Sequence, residues 1–258
     1  MRVARRKWPA TLGLSLFATL MLIAAACTSG ADFPDPDNPV SGTPWPDYEL
    51  LRYDITDQRD VKLGTVDMEV RRVGDVYEMR LLFLLPETEV RDEIFVTVDA
   101  MTLAPLRYSR LAEDPDNRIE AAGTYREGDA GPLLDSLVTD NGDEESKLVE
   151  LSAFAFDTDS SAWLWRSIAF EEGAELTYSS VNVLRQRAQL VRLGVVGQDV
   201  VRAPAGEFLA WQLEVRPGLD RQTAWYEVVP PHRLIRWDLE PRRYTLREVV
   251  TDPDAAGS

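Results

Sequence analysis

Two shortages narrow the chemistry at once: the chain has a single cysteine, Cys27, and a single histidine, His232. Structural and catalytic zinc sites draw on several Cys and His ligands, so that class is excluded and no metal is expected. One cysteine forms no intrachain disulfide, and stability must come from core packing. A nucleophile needs a base beside it, and the only imidazole sits in the turn Pro230-Pro231-His232, where ordinary hydrogen bonding is its plainest role. There is no Gly-x-Ser-x-Gly elbow, and the glycines are scattered singly rather than gathered into a phosphate-cradling loop, so no cofactor is expected. The acidic runs Asp114-x-Asp116-Asn117 and Asp140–Glu145 lack the twelve-residue calcium-loop pattern and read as solvated turns. No cluster of Lys and Arg stands outside the first residues, which removes the counterion release that drives nucleic-acid binding.

What is present begins at the amino terminus. Arg2, Arg5, Arg6 and Lys7 precede an apolar run from Thr11 to Ala26 that ends in Ala24-Ala25-Ala26-Cys27. This is the order of a secretory signal: charged region, apolar region, small-residue cleavage site. The run is shorter than the roughly 20 residues of a spanning helix. Small residues just before the cysteine resemble the bacterial lipobox, and that resemblance implies cleavage before Cys27 and lipid attached to its thiol. Two or more acyl chains hold a protein stably at a membrane without any span. Removing the leader leaves 24 Lys and Arg against 44 Asp and Glu, a formal charge of −20.

Residues 27–46 are rich in Pro, Asp, Gly and Ser and read as a flexible, lipid-anchored tether; residues 251–258 read as a disordered polar tail. Between them, 47–250 reads as one β-rich domain. Val66, Met68 and Val70 alternate with Asp67, Glu69 and Arg71, and Gly74-Asp75 marks a two-residue hairpin before Tyr77, Met79 and Leu81. Further strands are predicted at Glu93–Asp99, Pro105–Leu111, Arg118–Arg126, Glu175–Leu184, Arg187–Val196, Asp199–Ala203, Leu209–Val215, Gln222–Val229, Leu234–Leu239 and Arg243–Val250. Leu209, Trp211, Leu213 and Val215 are expected on one face. Thr139–Ser146 reads as a surface loop. One short amphipathic helix is predicted near 159–170, with Asp157–Ser160 as its cap. Many short strands at even spacing predict a mainly β fold, an antiparallel barrel or half-barrel of lipocalin-like or lipoprotein-carrier-like form.

Val196-Gly197-Gln198-Asp199-Val200-Val201, followed by Pro204-Ala205-Gly206-Glu207-Phe208 and Trp211, resembles the signature hairpin of an exported-protein family, domain of unknown function 3108. Tyr53-Asp54 with Gly64-Thr65, then Asp157, Ser160 and Arg166, then Ala224-Trp225-Tyr226 with Pro231-His232-Arg233-Leu234, fit the same pattern across most of 48–250. The resemblance implies an antiparallel lipocalin-like or half-barrel fold and leaves the biochemical role open.

The candidate residues are therefore aromatic. Trp163, Trp165, Trp211, Trp225 and Trp237 either fill the core or line an apolar groove at the barrel mouth. Arg166 either covers that mouth or anchors the helix through a carboxylate. The leading expectation is a non-catalytic, extracytoplasmic lipoprotein held at the cell membrane, or at an outer membrane where one exists. It would bind a hydrophobic or lipid-like molecule. The alternative is a structural or protein-interaction lipoprotein with a filled core; a carboxylate-dependent hydrolase ranks third. Lipidation is checked directly: cells fed an alkyne-palmitate analogue should label the wild-type chain, and Cys27→Ser should lose the label and leave the membrane fraction. Equal labelling of both would contradict the anchor.

Overall fold

A computed structural model of the chain describes residues 40–129 and 131–255. The expected signal peptide, Cys27, the expected tether up to residue 39 and the last three residues of the expected tail lie outside them. Alternation of apolar and polar residues builds the first eight strands: β1 (Tyr48–Asp57), β2 (Lys62–Val73), β3 (Val76–Leu85), β4 (Val90–Asp99), β5 (Pro105–Glu113), β6 (Arg118–Gly128), β7 (Gly131–Asp140) and β8 (Asp143–Glu150). Then come a three-residue strand β9 (Ala155–Asp157) and a single helical turn α1 (Ser161–Leu164). Six more strands follow: β10 (Glu175–Asn182), β11 (Arg187–Ala203), β12 (Gly206–Pro217), β13 (Gln222–Glu227), β14 (Leu234–Leu239) and β15 (Arg242–Val250).

All fifteen belong to one open sheet, in the order β8-β7-β6-β5-β4-β3-β2-β1-β15-β14-β13-β12-β11-β10-β9. Every neighbouring pair is antiparallel except β9 with β10. Two up-and-down meanders thus meet in the middle, where β1 pairs with β15. Of the two expected architectures the structure is the half-barrel. The sheet curls until its two ends are near: Gln186, in the β10–β11 turn, donates from Nε2 to the Glu145 carbonyl on β8 at 2.9 Å. Side chains bridge this gap where a closed barrel would have a ladder.

The inward face follows the predicted period of two. Val66, Met68, Val70, Tyr77, Met79 and Leu81 are buried. The Gly74-Asp75 turn joins β2 to β3, with Gly74 at φ +62°. Three expectations are corrected. Thr139–Ser146 is not a loop but the β7–β8 hairpin, because Asn141-Gly142 adopts the positive φ values (50° and 95°) of a tight hairpin turn. Arg187–Val196 and Asp199–Ala203 are one strand, β11, interrupted by a bulge between Val195 and Gly197. Leu209 is half exposed instead of sharing the inward face with Leu213 and Val215.

The helix also differs from its expectation. Its α-helical part is four residues, Ser161–Leu164, and all four are buried, so it is not an amphipathic surface element. It belongs to a crossover that leaves β9, passes through the concave face of the sheet and returns to β10. A curled open sheet needs such a filler, because its inward side chains otherwise face solvent. Trp163, Leu164, Trp165 and Ile168 supply the apolar bulk. The packed part of the chain begins ahead of residue 47: Ser41 N–H donates to the Ser167 carbonyl at 2.9 Å, and Trp45 is buried edge-on against Tyr77.

One ion pair fixes the filler to the sheet. Arg166 is 2% exposed and Glu49, on β1, is 0% exposed. Arg166 Nη1 donates to Glu49 Oε2 at 2.5 Å, and Arg166 Nε and Nη2 donate to the Pro231 carbonyl at 3.1 and 3.0 Å. Arg233 Nε meets the other Glu49 oxygen at 3.0 Å, and the Arg166 guanidinium lies 5.3 Å from the Trp45 ring centroid. Removing one member of such a pair strands a buried charge, which costs about 3–5 kcal/mol. Glu49→Gln and Arg166→Met should each lower unfolding stability by about that amount, and the double variant by less than the sum. Urea unfolding of all four proteins measures this; additive single effects would contradict the coupling.

Candidate functional site

The crossover does not fill the sheet's interior completely. A cavity of about 190 Å³ remains beside it. Met68, Leu81 and Phe83 from β2 and β3 form one wall, and Trp237, Leu239 and Tyr244 from β14 and β15 form another. Thr158, Asp159, Ser161, Ala162 and Trp165 of the crossover close it from inside, and Tyr178, Ser180, Gln189 and Val191 of β10 and β11 complete it.

The aromatic rings are held in place by their polar tips, as buried Trp and Tyr usually are. Trp165 Nε1 donates to the Tyr178 hydroxyl at 2.8 Å, and that hydroxyl reaches Ser161 Oγ at 3.4 Å. Trp237 Nε1 donates to Gln222 Oε1 at 3.2 Å. Trp165 meets Trp237 edge-to-face at 5.6 Å, Trp237 meets Tyr244 at 5.5 Å, and Tyr244 meets Phe83 at 6.4 Å. These four side chains form a continuous aromatic row along the cavity. The Tyr226 hydroxyl, donating to the Ala162 carbonyl at 2.9 Å, pins α1 above it.

The five tryptophans singled out from sequence therefore separate. Trp165 and Trp237 line the cavity, while Trp163 is buried in the core and does not line it. Trp211 stacks on Phe170 at 6.1 Å, and the Arg236 guanidinium lies 4.6 Å from the Trp225 centroid. Arg166 anchors the crossover through Glu49 and does not border the cavity. His232 engages the Glu227 carbonyl through Nδ1 at 2.9 Å and packs on Phe170, an ordinary turn environment. Asp114 accepts N–H groups of its own turn from Asp116 and Asn117.

Two carboxylates that the sequence reading treated as helix-cap material join the crossover to the opposite side of the sheet. Asp157 Oδ2 accepts the Tyr125 hydroxyl of β6 at 2.6 Å, and its Oδ1 accepts the Asp159 N–H at 2.8 Å. Asp159 Oδ2 accepts the Tyr108 hydroxyl of β5 at 2.9 Å. Burial raises the Asp157 carboxyl to about 8; the neighbouring Asp159 charge adds to the rise, and the Tyr125 hydroxyl and backbone N–H groups oppose it. Asp159 is raised as well, chiefly by burial, with the Arg110 guanidinium pulling it down. Arg110 itself is held by Asp92 at 2.6 and 2.9 Å.

Glu49, Tyr108 and Tyr125 escaped sequence reasoning. Glu49 carried a readable signal, since it shares its strand parity with inward Leu51, Tyr53 and Ile55. The two tyrosines carried none, because an inward phenol looks the same in sequence whether its hydroxyl meets a carboxylate or water.

The sequence model of a protein of unknown function, DUF3108, matches residues 52–242, which span both meanders and the crossover. The chain belongs to the DUF3108 family. No curated protein matches it. Among solved structures, this DUF3108 chain is similar to a β-barrel-like protein of DUF1849 from Brucella abortus, with TM-score 0.52 and 10% identity over 80% of this chain and 98% of that one. At that identity the likeness concerns the fold alone, a curled β sheet. A protein with a YmcC-like fold from Bacteroides fragilis aligns at TM-score 0.28 and 8% identity over 82% of this chain and 99% of that one, too loosely to inform on the site.

The raised Asp157 carboxyl has a consequence for stability. In the unfolded chain an aspartate ionises near about 3.9. In the folded protein Asp157 keeps its proton up to about 8. The folded state binds the extra proton between those values, so this contribution is full below the lower one and is lost as pH rises through the upper. Unfolding midpoints in urea should fall from pH 5 to pH 8.5, and Asp157→Asn should fall less steeply. Parallel curves for the two proteins would contradict a neutral Asp157.

Proposed function

We propose that this chain is an exported, non-catalytic lipoprotein, anchored through Cys27, whose domain holds a small apolar molecule between the crossover and the curled sheet. The observation that carries the reading is the aromatic-walled cavity of about 190 Å³. For scale, an apolar protein cavity of roughly 150 Å³ admits benzene. The occupant is then a single ring or a short branched chain, not a whole lipid. An apolar body displaces no well-bonded polar group from walls made of Met68, Leu81, Phe83 and Leu239. The leader and lipobox-like segment support the location. The acidic domain surface fits this arrangement, since it disfavours collapse onto anionic headgroups.

The test uses the purified domain with benzene and indole as probes. A ligand that binds only the folded state stabilises it by about 1.4 kcal/mol at ten times its Kd. Either probe should raise the melting temperature of the wild-type domain, and Ala162→Leu, which fills the cavity from the crossover side, should abolish the rise. No shift with either probe up to its solubility would overturn the reading and favour the interaction protein with a filled core.

A further inference from the structure

The cavity is not uniformly apolar, and the one ionisable carboxyl in its described lining is that of Asp159. Among the described residues no Lys, Arg or His side chain lines the wall. One Asp159 oxygen accepts the Tyr108 hydroxyl; the other accepts no hydrogen bond among the described residues, and Asp159 makes no ion pair there. The nearest guanidinium with influence, Arg110, is occupied by two hydrogen bonds to Asp92. The same cavity is lined by the aromatic row Trp165, Trp237, Tyr244 and Phe83. Aromatic faces carry the negative lobe of the ring quadrupole, and they attract a cation within about 6 Å of the centroid. The other polar groups on the wall, the hydroxyls of Thr158, Ser161 and Ser180 and the amides of Gln189 and Gln222 among them, are neutral. A lining that combines one carboxylate with this aromatic row and no basic side chain suits a positive charge with an apolar body, and suits an anion badly.

Resting on the ligand-carrier reading above, we infer that the cavity selects a small organic cation, a protonated amine or quaternary ammonium bearing a short apolar body. Asp159 is its counter-charge, and Trp165 and Trp237 are the ring walls. The chain's formal charge of −16, more negative without its leader, draws cations toward the domain from solution.

The discriminating pair of probes is 3-methylbutylamine, protonated at neutral pH, and 3-methylbutanol, its neutral counterpart of matching shape. Calorimetric titration of the wild-type domain should give a Kd about tenfold lower for the amine, the range expected of a partly desolvated cation at aromatic faces. Asp159→Asn should bring the two affinities together by weakening the amine and sparing the alcohol. Trp237→Leu, which keeps apolar volume and removes a ring face, should weaken the amine several-fold more than the alcohol, and it serves where the Asn variant does not fold. Equal binding of amine and alcohol by the wild type would overturn the cation assignment and leave the apolar-carrier reading standing. Binding of neither would overturn both.

Discussion

The Glu49–Arg166 ion pair is the contact on which the remaining architecture depends. Burying a carboxylate and a guanidinium together carries a large desolvation cost, and good geometry with further hydrogen bonds is needed to offset it. Here the carboxylate is shared between Arg166 and Arg233, and the remaining Arg166 donors reach the Pro231 carbonyl. The pair therefore does not make the fold stable so much as unique. It places the crossover against β1, the strand where the two meanders meet, and against the turn between β13 and β14. On the far side, Asp157 and Asp159 hold the same crossover to β6 and β5 through phenolic hydroxyls. A segment fastened at both ends in this way stands in for the ladder that would close a barrel.

That arrangement explains both the cavity and the edges. Trp165, Trp237 and Tyr244 line the space that remains between the crossover and the sheet. An open sheet also keeps its ends. The β8 end carries Asp143, Glu144, Glu145, Lys147 and Glu150, exposed or nearly so, and such charge on an edge opposes pairing with another chain. The β9 end is only three residues long, which limits what can add to it. Openness is thus tolerated at the edges.

The fold was legible in the sequence wherever a strand has one wet and one dry face. Val66, Met68 and Val70 announce β2 by alternation, and Gly74-Asp75 announces its turn. Alternation fails where both faces are covered or where the chain bends. The crossover looked amphipathic because Ser160, Ser161, Arg166 and Ser167 are polar, yet all four are buried, with the serine hydroxyls bonded to backbone carbonyls and Arg166 to Glu49. The run of acids around Asn141-Gly142 masked a hairpin whose turn dipeptide was in plain view. The β11 bulge split one strand into two apparent ones, because an inserted residue resets the period. At the site, the tryptophans were singled out as a set, but which of them meet depends on where the crossover packs against the sheet. Residue spacing along the chain does not record that placement.

Hydrogen–deuterium exchange of the wild-type domain tests the central claim most directly, because it reads the crossover in the unmodified protein. If residues 161–168 are the buried, doubly fastened filler of an open sheet, their amides should exchange about as slowly as those of β1 and β15, through global unfolding. Exchange of those amides at the rate of the exposed turn at 114–117 would contradict the account, because a filler that opens freely cannot hold the curled sheet together.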